Sequence, residues 1–128
     1  MADAIPEHQP VPFVLQPIGP VTIVEFNQPS LMDPVVLEDA GRRLNELVDA
    51  EDRRQIILDF ERVQYLSSQA IGILLTLKKK LDALPHSRLI LCGIQPRLAE
   101  LLRITRLDKV LTMKPTQKEA LAAFAGGV

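Results

Sequence analysis

Two short runs of this chain are apolar at consecutive positions, Ile56-Ile57-Leu58 and Leu89-Ile90-Leu91-Cys92. A strand with apolar side chains on both faces has to be covered on both, as the interior strands of a layered α/β sheet are. The segments around these runs repeat apolar residues at three and four, the period of a helix with one buried face. Over 33–48 the repeat is Val36, Leu37, Ala40, Leu44, Leu47 and Val48, with Asp33 as N-cap and Pro34 at the first helical position. A second helix is expected over 68–84. It is apolar nearly all round through Ile73-Leu74-Leu75 and polar at Lys78-Lys79-Lys80, so its first turns should be buried and its last should emerge. A third starts near Pro96 and places Leu98, Leu101, Leu102 and Thr105 on one face. A closing helix over 116–124 turns Ala120, Leu121 and Phe124 inward.

The remaining strands are read more locally. Val21–Phe26 is a strand, Phe13-Val14-Leu15 a short edge strand before it, and Pro17-Ile18-Gly19-Pro20 the turn between them. Val110-Leu111-Thr112-Met113 is a short last strand. The order β-β-α-β-α-β-α-β-α predicts a single α/β domain with a mixed, mostly parallel β-sheet, packed helices, right-handed crossovers and an antiparallel first hairpin. Five of the ten prolines fall in the first twenty residues, so 1–12 is expected to be a flexible N-terminal arm and 13–128 the folded domain.

Composition changes this picture little. Hydrophobic residues make up 47% and charged residues 24% of 128, which fits a folded domain able to bury its own core. Fifteen basic residues against sixteen acidic ones leave a net charge of −1, which provides no broad field for nucleic acid or an anionic membrane surface. No apolar run approaches the ~20 residues of a membrane-spanning helix, so no membrane insertion is expected. One cysteine, Cys92, and a start without a basic-then-apolar leader pattern point to the cytoplasm.

Most of the chemistry that an α/β sheet can host has no residues here. Neither G-x-G-x-x-G nor G-x-x-x-x-G-K-[ST] occurs, and the two histidines, His8 and His86, stand far apart with no ligand spacing, so neither a cofactor nor a metal is expected. G-x-S-x-G is absent as well. Asp59 and Glu61, two apart at a strand end, would form an acid/base pair or, more simply, serve as solvated and capping groups. Cys92 reads as a small buried hydrophobe, and Lys78-Lys79-Lys80 as a solvated face that complements a helix C-terminus. What remains is Ser67-Ser68 at the start of the second helix. Serine is a favoured N-cap, and a helix N-terminus also accommodates an anion such as phosphate.

The stretch Tyr65-Leu66-Ser67-Ser68-Gln69-Ala70-Ile71-Gly72, following Leu58-Asp59, resembles the motif of the STAS domain of anti-sigma factor antagonists, which reads aromatic-Met/Leu-Asp-Ser-Ser/Thr-Gly-Leu-Gly. The strand, turn and Leu-rich helix that follow this motif in the family are matched by Leu89-Ile90-Leu91-Cys92-Gly93-Ile94-Gln95-Pro96 and 98–107. The resemblance covers 56–110 and implies the STAS fold. It also implies a bacterial transcription regulator that is not an enzyme, whose partner is an anti-sigma factor with serine kinase activity and whose binding ends when a serine is phosphorylated. Ser68 holds the acceptor position. Ser67, Ser68, Gln69 and Asp59 would form the partner-binding surface, on a monomer or weak homodimer. Ser67 replaces the family's aspartate, Gln69 its second hydroxyl residue and Ala70 its glycine. A non-phosphorylated STAS scaffold or transport accessory subunit is the alternative within the family. A small enzyme or ligand-binding domain using Asp59, Glu61 and Ser68 is the alternative outside it.

Overall fold

The doubly apolar runs lie in the middle of a five-stranded sheet of order β1-β2-β4-β6-β7. The computed structural model describes residues 11–126. Its strands are β1 (Phe13–Ile18), β2 (Val21–Phe26), β3 (Ser30–Leu31), β4 (Gln55–Asp59), β5 (Tyr65–Leu66), β6 (Arg88–Cys92) and β7 (Thr112–Lys114). Its helices are α1 (Pro34–Asp49), α2 (Ser68–Asp82), α3 (Pro96–Ile104) and α4 (Gln117–Gly126), with a 3-10 turn at Leu107–Lys109. β1 runs antiparallel to β2, and every later pair in this sheet is parallel. The expected single α/β domain with a mixed, mostly parallel sheet is what the chain forms.

Register explains the double coverage. Ile57 lies between Ile23 and Ile90, and these three pack with Val21, Cys92 and Ala120 beneath α4. Their neighbours Ile56, Leu58 and Leu89 point to the opposite face, where Leu44, Leu47, Leu74, Leu77, Leu81 and Leu98 of α1, α2 and α3 meet them. Asp33 caps α1 as expected: its Oδ1 accepts from Val35 N at 2.9 Å and from Val36 N at 3.5 Å.

Several local expectations need correction. β1 continues through Pro17 to Ile18, leaving only Gly19-Pro20 as the turn. Asn27 N donates to Pro12 O at 3.0 Å, so by ladder parity residues 14, 16 and 18 face β2 and Pro17 turns its donorless nitrogen to the open edge. α2 is one-sided rather than buried all round in its first turns. Ala70, Leu74, Leu77 and Leu81 are buried, while Ile71 and Leu75 are only half-buried, because α2 rests on α1 and the sheet and keeps its remaining side toward solvent. The last strand starts at Thr112, since Arg106, at φ 64°, ends α3 and commits the next residues to the 3-10 turn. A second, two-stranded sheet was not expected: β3 and β5 pair in parallel, Ser30 opposite Tyr65 and Leu31 opposite Leu66.

Of the arm expected over 1–12, residues 1–10 lie outside the described residues. Pro12 is buried against the core edge. No helix among the described residues is long and apolar enough to cross a membrane.

Candidate functional site

The small β3/β5 sheet delivers the chain to the start of α2. Ser67 N donates to Leu31 O at 3.2 Å, which extends the parallel pairing by one residue. Ser67 then stays extended, with φ −88° and ψ 170°, and its Oγ accepts from Ala70 N at 3.2 Å while its carbonyl accepts from Ile71 N at 3.1 Å. Ser67 is therefore the N-cap, and two donors of the first turn are satisfied by it. Ser68, the first helical residue, is exposed, and among the described residues its hydroxyl has no hydrogen-bond partner. Ser68 N and Gln69 N are the helix-end donors left without an acceptor there. Gln69 is exposed too, and its Nε2 donates to Pro34 O at 3.2 Å, tying the first turn of α2 to that of α1.

Asp59 does not join these three at the surface. It is 3% exposed at the end of β4 and, alternating with Leu58, points to the α4 face of the sheet. Oδ1 accepts from Glu61 N at 2.9 Å and Oδ2 from Gln117 Nε2 at 2.8 Å, so the carboxylate fastens the β4 exit loop and the start of α4. Gly93, at φ 68°, makes room for it: a Cβ there would lie 3.0 Å from Asp59 Oδ1 and 3.0 Å from Glu61 N. Glu61 is exposed, so the two carboxylates do not form a shared acid/base site.

Other expected groups fall into structural roles. Cys92 is buried, and its thiol is pushed up to about 12, first by burial and then by the negative charges of Asp59, Glu61 and Glu25. Such a thiol is a poor nucleophile. Lys78 pairs with Asp82 at 2.8 Å, and Lys80 reaches across to Asp49 of α1 at 2.8 Å. His86 sits in the helix-to-strand turn at φ 59°, and no cluster of metal-ligating side chains occurs among the described residues.

Sequence pattern missed a groove that begins at Tyr65, in the strand leading to Ser68. Arg97, in the first turn of α3, holds its guanidinium carbon 5.0 Å from the ring centroid of Tyr65. With Met32, Leu66, Leu98 and Leu101 they line a groove of about 220 Å3. Tyr65 fills the aromatic position of the motif, but nothing in the spacing links it to a residue in another helix.

Comparison with known proteins fits this architecture. Residues 12–120 match the STAS domain family. BtrV of Bordetella bronchiseptica, described as an anti-sigma factor antagonist, is 30% identical over 87 residues, which are 68% of this chain and 73% of BtrV. An anti-sigma factor antagonist (STAS) domain protein from Planctomyces limnophilus has the same fold, with a TM-score of 0.78 at 23% identity over 91% of this chain and 99% of that one. The Bacillus cell fate determinant SpoIIAA in its phosphorylated form gives 0.68 at 21% identity over 86% of this chain and 96% of that one. With the family matched over most of the chain, the chain belongs to the STAS domain family, and BtrV, described as an anti-sigma factor antagonist, is a relative within it.

Proposed function

We propose that this domain is a regulatory binding module: without phosphate it binds an anti-sigma factor that carries serine kinase activity, and phosphorylation of Ser68 ends that binding. The observation that carries the reading is the difference between two adjacent serines. Ser67 Oγ is occupied as the helix cap, whereas Ser68 presents an exposed hydroxyl with no partner among the described residues. A kinase can take the second hydroxyl without opening the fold.

The site suits the product as well as the acceptor. A phosphate on Ser68 stands beside Ser68 N and Gln69 N at the positive end of the α2 dipole, so the folded state tolerates it. The same group adds about −1.5 to −2 charges to a surface that exposes Met32, Val35 and Tyr65, where an apolar partner face would have to be stripped of water against it. Binding is lost while the fold persists. The nucleotide belongs to the kinase, so this chain needs no cofactor, and the exchange takes place in the cytoplasm between a monomer or weak homodimer and its partner. Ser67, Ser68 and Gln69 form the centre of the contact, and Asp59 supports it from behind the sheet.

The second reading is a STAS scaffold that is never phosphorylated. It is favoured by Ser67 itself: serine in place of the family's aspartate is accounted for as the helix cap. Incubation with the candidate kinase and ATP, followed by intact mass and fragment mapping, separates the two. One phosphate on Ser68, with loss of the complex on a sizing column, supports the switch. No phosphate despite a stable complex supports the scaffold.

A further inference from the structure

The groove between β5 and α3 contains a cation with no carboxylate. Arg42, Arg43 and Arg103 each pair with a carboxylate of their own helix, namely Asp39, Glu46 and Glu100. Arg97 pairs with none among the described residues and instead lies over the Tyr65 ring. A guanidinium over a ring face is attracted by it and keeps N–H donors that can receive a carboxylate with two parallel hydrogen bonds. Beneath it the groove is floored by the apolar Leu66, Leu98 and Leu101, and its wall includes Met32, which is 51% exposed, and Tyr65, which is 42% exposed. The chemistry that fits is an apolar side chain with a carboxylate close by. A nucleic acid backbone would need a basic stripe, and the groove offers one guanidinium.

We propose that this groove is the docking slot for an acidic, apolar segment of the protein partner, with Arg97 holding the carboxylate and Leu66, Leu98 and Leu101 receiving the apolar side chain. The proposal rests on the reading of the domain as a partner-binding module and names the chemistry of that partner. It also gives the modification a local target. Tyr65 lies three residues before Ser68, a span of at most about 10 Å and comparable to a Debye length, so a phosphate there repels the incoming carboxylate.

The test is a titration of the 15N-labelled protein with two capped peptides, Ala-Leu-Ala-Ala-Glu-Ala and its twin with Lys in place of Glu, followed by the backbone amide signals. The Glu peptide should shift the signals of Tyr65, Arg97 and Leu101 and bind about threefold or more tightly than the Lys twin, the scale of a partly exposed ion pair. Arg97→Glu should reverse the preference, and Tyr65→Ala should weaken both peptides. Arg97 and Tyr65 are exposed, so the unchanged remainder of each spectrum verifies the fold. The proposal is overturned if neither peptide moves these signals, or if the preference for Glu survives in Arg97→Glu. No kinase or phosphate enters the titration. A silent titration with normal Ser68 labelling therefore removes the slot alone, and a charge-reversed preference without labelling supports the slot while removing the switch.

Discussion

Alanine at Ser67 and at Ser68 should have opposite consequences, one for stability and one for signalling. Ser67 Oγ accepts from Ala70 N at 3.2 Å, and Ala70 is itself buried, so Ser67→Ala leaves a donor without its acceptor in a place water reaches poorly. Loss of a serine N-cap costs about 1 kcal/mol, within a range of about 0.5–2. For a domain of this size that lowers Tm by about 4 °C. Ser68→Ala removes a hydroxyl with no partner among the described residues and puts the best helix former into a first turn, so stability should stay within about 0.5 kcal/mol of the parent. Labelling by the kinase should follow the reverse order, abolished in Ser68→Ala and retained in Ser67→Ala. Ser67→Asp, which restores the family residue, should keep the cap and therefore the stability. Urea unfolding followed by circular dichroism gives the first quantity and radiolabel incorporation the second. Equal stability losses for the two alanine variants, or label that stays in Ser68→Ala and vanishes in Ser67→Ala, would refute the assignment of roles.

Three further outcomes follow from the same geometry. Gly93→Ala should cost about 3 kcal/mol, because it combines left-handed strain with a Cβ placed 3.0 Å from Asp59 Oδ1; Gly19→Ala, at φ 59° with nothing within 4 Å, should cost only about 1, and comparable urea midpoints for the two would disprove the crowding argument. Replacing Lys78, Lys79 and Lys80 together with Gln should lower stability by no more than about 1 kcal/mol, since their ion pairs are exposed, and should leave partner binding intact in a pull-down; weakened binding at unchanged stability would make them recognition residues. Cys92 ionises near 9.0 when free but near 12 in the fold, so its contribution is whole below pH 9.0 and is lost as pH rises toward 12, at up to about 1.4 kcal/mol per pH unit. Unfolding free energies at pH 8 and pH 10 should differ more for the parent than for Cys92→Ala, and identical differences would count against a buried, protonated thiol.

The elements that were legible in the sequence are those whose side chains carry their own instructions. Asp33-Pro34 fixes the start of α1 by local hydrogen bonding and ring geometry, and the consecutive apolar residues of β4 and β6 require cover on both faces wherever they end up. Ser67 and Ser68 were legible as a helix start for the same reason. The pair β3/β5 was not, because two residues are too few for any periodicity to register, and each strand is specified only by the other across the fold. Asp59 was misplaced because one of its two partners is remote: besides Glu61 N close by, Gln117, 58 residues along the chain, supplies the second donor to its buried carboxylate. Likewise the exposed side of α2 depends on where its neighbours stop, and the Tyr65–Arg97 stack on where α3 begins relative to β5. Such facts belong to the assembled layers and leave no trace in local spacing.

The strand order β1-β2-β4-β6-β7 has a consequence for how the chain is made. Apart from the small β3/β5 pair, each strand is laid against the one formed just before it, always on the same side, and none is inserted between two earlier ones. A chain leaving the ribosome can therefore form the β1/β2 hairpin first and add one strand and one helix at a time to a growing edge, without reopening anything already paired. Only α4 departs from this progression, crossing to the other face as the last helix of the fold. Its docking through Gln117 onto Asp59 is then the last step of this progression, and it covers the apolar face formed by Val21, Ile23, Ile57 and Ile90.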